Sequence, residues 1–210
     1  MSNAAADEVE LARVGLYTLL AVLLARPPDQ DLLARVGSLS LPPSPVGEVV
    51  QQLAARARAS TATSAEREYN ALFIGVERGE LVPYASYYLT GFLNDRPLAR
   101  LRQEMRTLGI ERRPGVAEPE DHIATICEIM AGLIRGELAG TEGGSRERGF
   151  FEGYLAPWAG RFFQDLESAR AADLYRPLGT LGRLFMTIEE QAFAMTAPIE
   201  PESAVMGAGR

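Results

Sequence analysis

The sequence contains one histidine, one cysteine and no lysine, and each scarcity removes a class of function. A single cysteine, Cys127, cannot form an internal disulfide, which fits a reducing compartment and predicts a cytoplasmic protein. One histidine and one cysteine cannot build a histidine- or thiolate-rich metal site, and the carboxylates lack the spacing of a calcium loop. Without lysine, neither a Schiff base nor a phosphate-loop lysine is available. We therefore predict no metal site and no bound cofactor.

Long apolar runs and excess positive charge are also missing. The longest apolar run, Val14 to Ala25, is about a dozen residues, whereas a membrane-spanning helix needs about 20. The formal net charge of −7 argues against a nucleic-acid partner. With 210 residues and 47% apolar residues, the chain can bury a sizeable core. These totals predict a globular protein without integral membrane insertion.

Apolar residues recur at helical spacing along most of the chain, and no sustained alternation typical of strands is present. We predict an all-α bundle of about eight to nine helices. The start signals are Asp29, Thr63, Ser86 and Asn94 or Asp95, each followed by a helical pattern. The other predicted helices are Val9–Ala25, Val46–Ala59, Pro119 to about Ala139, Phe150–Leu166 with a kink near Pro157, and Ala169–Phe193 with an internal Pro177.

A polar stretch with Arg112-Arg113-Pro114-Gly115 is the best candidate for an internal hinge. The predicted chain therefore consists of an N-terminal helical part (7–108), a linker (109–117) and a C-terminal helical part (118–195). The Pro-, Gly- and Ala-rich segment 196–210 is predicted to be a disordered tail.

The segment Glu118-Pro119-Glu120-Asp121-His122-Ile123 holds the only histidine. Proline followed by acidic residues is typical of a helix start. An acid–base pair of Asp121 and His122 is one interpretation, but adjacent helical residues point about 100° apart. No serine or cysteine nucleophile can be placed beside the histidine. A solvated or locally paired helix start is the alternative, and we predict no catalytic residue.

A second segment is rich in aromatic residues. It reads Tyr69-x-x-Leu72-Phe73-x-Gly75 and, seven residues later, Pro83-Tyr84-x-Ser86-x-Tyr88. These aromatics either pack a loop onto the bundle or line an apolar groove for a peptide, since Phe and Tyr supply contact area at low entropic cost.

Together these segments resemble the signatures of the TorD/DmsD/NarJ-type redox-enzyme maturation chaperones. The acidic segment resembles their E-P-x-D-H motif, and the aromatic segment resembles Y-x-x-L-F-x-G followed by P-x-x-S-x-Y. A weaker feature is Leu155-x-Pro157-Trp158 followed by Phe162. Val76, Val82 and Tyr84 depart from residues found in many members, which affects the identity of the client.

The resemblance implies a TorD-like all-α chaperone with a hinge and without enzymatic turnover. It implies binding of an apo-molybdoenzyme or its twin-arginine signal peptide, assisting insertion of the molybdenum cofactor and delaying export. A monomer or a domain-swapped dimer is implied. The peptide-binding positions that the resemblance and the charge pattern suggest are Tyr69, Leu72, Phe73, Pro83, Tyr84, Ser86, Tyr88, Glu118, Asp121 and His122.

Two alternatives stay open at this point. A NarJ-like chaperone would assemble a catalytic subunit that has no leader. A small helical enzyme acting on a nucleotide would use Glu118, Asp121 and His122 for acid–base chemistry, although a nucleophile, a metal site and a phosphate loop are missing from the sequence.

Overall fold

The computed structural model describes residues 3–75, 78–111, 118–138 and 145–195. This part of the chain contains ten α-helices and one π-helical turn, with no β-strand. The all-α prediction is confirmed, with slightly more helices than predicted. The helices are α1 (Asn3–Ala25), α2 (Gln30–Gly37), α3 (Pro45–Ala59), α4 (Ala62–Tyr69), α5 (Ala85–Thr90), α6 (Arg96–Thr107), α7 (Ile123–Ile134), α8 (Ser145–Tyr154), α9 (Ala159–Ser168) and α10 (Tyr175–Met195); the π-turn is Asn70–Ile74.

Helix α7 forms the centre of the bundle. Ten of its twelve residues are buried, so its surface is apolar nearly all round, as expected of a core helix. It packs along α1 on one side and against α8 on another. Cys127 lies within it and is fully buried, and this burial raises the pKa of the thiol well above its usual value. The thiol is therefore inert, and the molecule has no accessible cysteine nucleophile.

A second layer is built by α9 and α10, which pack against each other, and α3 also packs against α10. The contact between α9 and α10 is very close at two glycines. A β-carbon at Gly179 would collide with the backbone of α9 at Glu167, and one at Gly182 would collide with the ring of Phe163. These glycines let the two helices approach, and the fully buried rings of Phe162 and Phe163 fill the space around them.

Several predicted helix starts differ from the structure. Asp29 and Asp95 do cap α2 and α6. The fourth helix, however, begins two residues earlier than predicted, capped by Thr61 through a reciprocal pair of bonds with Ser64. Ser86 does not cap the next helix, because Tyr84 is at the cap position and Ser86 lies inside α5.

The helix predicted from Pro119 to about Ala139 is shorter at both ends. It begins at Ile123 with His122 as its cap and ends at Ile134, so Pro119, Glu120 and Asp121 precede it. Farther along, the predicted kink near Pro157 is a complete break between α8 and α9. The last helix begins at Tyr175, which places Pro177 in its first turn, where no intrahelical N–H bond is lost.

A buried charge cluster joins three helices that are distant in sequence. Arg13 of α1 donates to both carboxylate oxygens of Glu189 in α10, at 2.7 and 2.8 Å, and to Glu147 of α8 at 2.9 Å. Tyr17 donates its hydroxyl proton to Glu189 at 2.9 Å. Burial acts to lower the pKa of Arg13, but bonding to and attraction by Glu189 and then Glu147 raise it above its ordinary value. The cluster fixes α1, α8 and α10 around the core.

Most of the predicted linker, residues 112–117, and the whole predicted tail, 196–210, lie outside the described residues. The boundaries predicted for the N- and C-terminal parts stay predictions. Among the helices that the structure describes, none is both long and apolar enough to cross a lipid bilayer.

Candidate functional site

The two segments singled out in the sequence meet in the fold. Tyr84 and His122 form an isolated antiparallel bridge. On either side of it, the Ala85 N–H donates to the carbonyl of Asp121 at 3.0 Å, and the Ile123 N–H donates to the carbonyl of Pro83 at 2.9 Å. The starts of α5 and α7 are thereby held together by backbone bonds. We call the paired segments 83–86 and 121–123 the junction.

Asp121 is the acidic residue of the junction. Its side chain is 0% exposed, and its Oδ2 accepts the N–H of Ser86 in the first turn of α5 at 2.8 Å. This carboxylate therefore bonds to the first turn of α5, which is distant in sequence, and not to α7, which begins two residues later. Its other oxygen, Oδ1, has no hydrogen-bond partner within the described residues, nor has the hydroxyl of Ser86. Asp121 lines a pocket of about 60 Å³ together with Leu89, Arg100 and other residues of α5, α6, α7 and α8.

His122 and Tyr84 lie beside Asp121. Nδ1 of His122 accepts the Ala124 N–H at 3.1 Å, which caps α7, and its ring meets the ring of Tyr84 edge to face at 5.1 Å. The hydroxyl of Tyr84 donates to Oε1 of Glu118. Partial burial raises the pKa of the Glu118 carboxyl. His122 is thus a neutral structural cap, and it is not paired with Asp121 as an acid–base dyad.

The first aromatic signature has a different position. Tyr69 donates its hydroxyl proton to the carbonyl of Leu24 at 3.2 Å, and its ring packs edge to face on Phe73 and Tyr175. The chain continues into the wider π-turn, which ends at Gly75. The φ of Gly75 is +66°, and a β-carbon at this position would collide with the carbonyl of Arg78. Only glycine fits there without strain, and this accounts for the glycine of the motif.

Tyr88 connects the aromatic segment to α9. Its ring packs against Trp158 and Phe162 at centroid distances of 5.5 and 5.8 Å, and its hydroxyl donates to Asp165 at 3.0 Å. The weak feature Leu155-x-Pro157-Trp158 therefore contacts the second aromatic signature directly.

The ten predicted peptide-binding residues divide by exposure. Phe73, Tyr84 and Tyr88 are partly exposed and Glu118 is exposed, so these four side chains can meet a ligand directly. The other six are buried: Tyr69, Leu72, Pro83, Ser86, Asp121 and His122. Of the buried six, Asp121 has an unpaired acceptor and lines the pocket described above. The prediction that all ten contact a peptide stays a prediction.

Several acidic side chains that lie around Glu120 were not among the predicted site residues. Glu120 is buried and accepts from Arg102 at 2.9 Å. It lines a cleft of about 480 Å³ whose rim also holds Glu111, Glu128 and Glu137. A signal was present, because Glu128 is the only charged residue in the apolar sequence of α7. Among the described residues, no three His, Cys, Asp or Glu side chains lie close enough to hold a metal ion.

Acidification from pH 7 to pH 5 is expected to cost about 2 kcal/mol of folding free energy through His122. Burial lowers the pKa of His122 from 6.5 to about 4. Between these values the unfolded chain takes up a proton and the folded chain does not, so stability is complete above pH 6.5 and falls as the pH drops toward 4. Urea titrations at pH 7, 6 and 5 measure this loss.

The matched variant for this measurement is His122→Asn, which keeps an acceptor at the cap position and removes the titration. Between pH 7 and pH 5 its unfolding free energy should fall by about 2 kcal/mol less than that of wild type. An equal drop in both proteins would assign the effect to other groups.

The sequence is similar to one family model and to several named chaperones. The family model described as the nitrate reductase delta subunit matches residues 41–164. The chaperone protein TorD of Photobacterium profundum is 36% identical over 69 residues, which is 32% of each chain. TorD of Vibrio parahaemolyticus is 26% identical over 99 residues, covering 43% of this chain and 46% of that protein. The chain thus matches about a third to a half of the length of these curated relatives.

A solved structure supports the fold. A protein from Archaeoglobus fulgidus, described as a redox enzyme maturation protein, superposes with a TM-score of 0.53 at 20% identity, covering 85% of this chain and 93% of that one. At this identity the similarity establishes the fold alone. The relatives matched by sequence are named as chaperones, and the prediction of no enzymatic turnover agrees with them.

Proposed function

Because this chain belongs to the nitrate reductase delta subunit family, together with TorD-type chaperones, we propose that it is a cytoplasmic maturation chaperone. Its client is a molybdenum-cofactor oxidoreductase in the apo form, recognised through its twin-arginine signal peptide. Binding keeps the client from export until the cofactor is loaded. The protein itself catalyses no reaction in this proposal.

The observation that carries the proposal is the unpaired Oδ1 of Asp121 beside an exposed apolar surface. A buried carboxylate oxygen without a donor is costly, and a guanidinium would supply that donor in a charge-assisted bond. The pocket of about 60 Å³ that Asp121 lines is large enough for the end of one arginine side chain but not for a whole residue.

The surface around this pocket fits the rest of a leader peptide. Leu89 lines the pocket and is 43% exposed, and Phe92 and Leu93, at the end of α5, are 72% and 48% exposed. Exposed apolar side chains grouped in this way are typical of binding surfaces. An apolar stretch following the arginine pair can cover them, while Tyr84 and Glu118 border the other side of the junction.

Calorimetric titration with a twin-arginine leader peptide tests the proposal. We expect a dissociation constant in the micromolar to sub-micromolar range. A peptide with two lysines in place of the two arginines should bind at least about tenfold more weakly, because lysine cannot form the planar, bidentate pair with a carboxylate. Equal affinity for the two peptides would contradict recognition of the arginine pair, and no binding at tens of micromolar protein would overturn the signal-peptide proposal.

A second candidate rests on the family match itself. The family model that covers residues 41–164 is named for a nitrate reductase subunit. The chain would then hold a catalytic subunit that has no leader. Co-purification with an apo-subunit that carries no leader would favour this candidate over the first.

A further inference from the structure

An apolar groove lies next to the junction, between α6 and α7, and of the ten predicted peptide-binding residues Glu118 alone lines it. Its volume is about 480 Å³. Its floor is made by Met105 of α6, Ile129 of α7, and the half-buried Ile110 and Leu138 that follow these helices. Gly132 also lines it and leaves space that a side chain would fill. We call it the acidic groove because of its rim.

The rim carries more acidic than basic side chains, and two of the acidic ones are ion-paired, Glu120 with Arg102 and Glu137 with Arg135. Arg135 is the only basic residue lining the groove among the described residues, and five acidic residues line it: Glu111, Glu118, Glu120, Glu128 and Glu137. Glu111 and Glu128 are exposed, and neither has an ion-pair partner within the described residues. Two exposed carboxylates that have no ion-pair partner in the described part of the chain, over an apolar floor, are complementary to a segment that is cationic and apolar.

The acidic groove and the Asp121 pocket are neighbours. Glu120 lines the groove and Asp121 lines the pocket, and the two residues are consecutive. On α6, Leu101 lines the pocket and Met105 lines the groove one helical turn later. A single extended peptide can therefore contact both sites, with the segment 120–121 between them.

We propose that the acidic groove docks a second, cationic part of the client peptide: arginine or lysine side chains outside the arginine pair, on a segment with apolar side chains. The inference deepens the proposed function and rests on it for the identity of the client. Glu111 and Glu128 attract the segment, which speeds encounter and makes binding dependent on salt. The apolar floor takes up the stems and apolar neighbours of the cationic residues.

The charge test uses the double variant Glu111→Gln and Glu128→Gln. Its matched control is Glu66→Gln with Glu190→Gln, which removes the same charge from exposed positions that do not line the groove. The probe is a twin-arginine leader peptide with further basic residues, titrated at 50 and 250 mM salt. We expect about tenfold weaker binding and a smaller salt effect for the groove variant, and binding within about twofold of wild type for the control.

A steric test is independent of charge. Gly132→Leu fills the groove, since a β-carbon there already lies 3.3 Å from Cδ1 of Leu138, the movable end of a side chain. We expect a similar loss of affinity with an unchanged circular dichroism spectrum. If wild type binds the leader and both groove variants bind it equally well, the groove inference is wrong and the proposed function stands.

A second probe separates the two proposals if the leader does not bind. This probe is a 12-residue peptide of alternating arginine and leucine, without an adjacent arginine pair. If wild type binds this probe and both groove variants bind it more weakly, the groove inference is supported, even where the leader does not bind. Failure of wild type to bind either probe overturns both. A dimer that Gly132→Leu dissociates would assign the groove to a second copy of this chain and overturn the inference.

Discussion

Replacement of Glu189 with alanine is expected to lower the free energy of unfolding by about 3 kcal/mol. The side chain of Glu189 is 1% exposed and accepts two bonds from Arg13 and one from Tyr17. Removal leaves the guanidinium of Arg13 partly buried, with Glu147 as its remaining carboxylate partner and the ring of Phe193 below it. Breaking a buried pair by removing one member costs about 3–5 kcal/mol, and the lower end applies because Arg13 retains that partner and some solvent contact.

The neighbouring residue supplies the control. Glu190 is exposed on the same helix, so Glu190→Ala should change the unfolding free energy by no more than about 0.5 kcal/mol. Tyr17→Phe removes one bond to Glu189 and should cost about 1 kcal/mol. Urea unfolding followed by circular dichroism measures all three. Equal stability of the Glu189 and Glu190 variants would show that the cluster does not hold α1, α8 and α10 together.

Replacement of Asp121 with asparagine is expected to weaken leader binding about 30-fold or more, which corresponds to about 2 kcal/mol. The amide oxygen of asparagine can still accept the Ser86 N–H, so the first turn of α5 keeps this bond. The amide nitrogen then replaces the unpaired Oδ1 and presents a donor where the guanidinium needs an acceptor. Calorimetry gives the affinity, and thermal unfolding reports whether the fold is retained.

Asp173→Asn is the matched control for charge. Asp173 is exposed and pairs with Arg56 on a different face, so this variant removes one negative charge without touching the junction. It should bind the leader as wild type does. A loss of affinity equal in both variants would assign the effect to net charge, and unchanged affinity in Asp121→Asn would remove Asp121 from the binding site.

Local patterns in the sequence predicted the helices and some of their caps, because these depend on residues a few positions apart. Asp29 and Asp95 each bond to their own helix, so a single turn of sequence contains the whole interaction. The start of α7 could not be predicted in this way. The carboxylate of Asp121 bonds to Ser86, far away in the chain, which leaves the cap of α7 to His122.

The buried charge cluster shows the same limit. Glu189 and Glu190 are adjacent and identical in sequence, yet one is buried and the other exposed. The difference depends on Arg13, which only the folded chain brings to Glu189. For the site, the two segments that meet at the junction could be predicted from their sequence motifs. Packing against α9, α10 and α1 determines which of their side chains are accessible. Residue spacing within one segment cannot predict these contacts between distant helices.

Amide hydrogen exchange with and without a saturating leader peptide tests the central claim most directly, since it locates the bound peptide on the chain. The account predicts slower exchange at the junction and along the adjoining surface, residues 83–93 and 118–123. The segment 183–192 of α10, which contains neither a predicted peptide-binding residue nor Tyr175, should be unchanged and serves as an internal control. Saturated binding that leaves exchange in 83–93 and 118–123 unaltered would contradict the placement of the client at the junction.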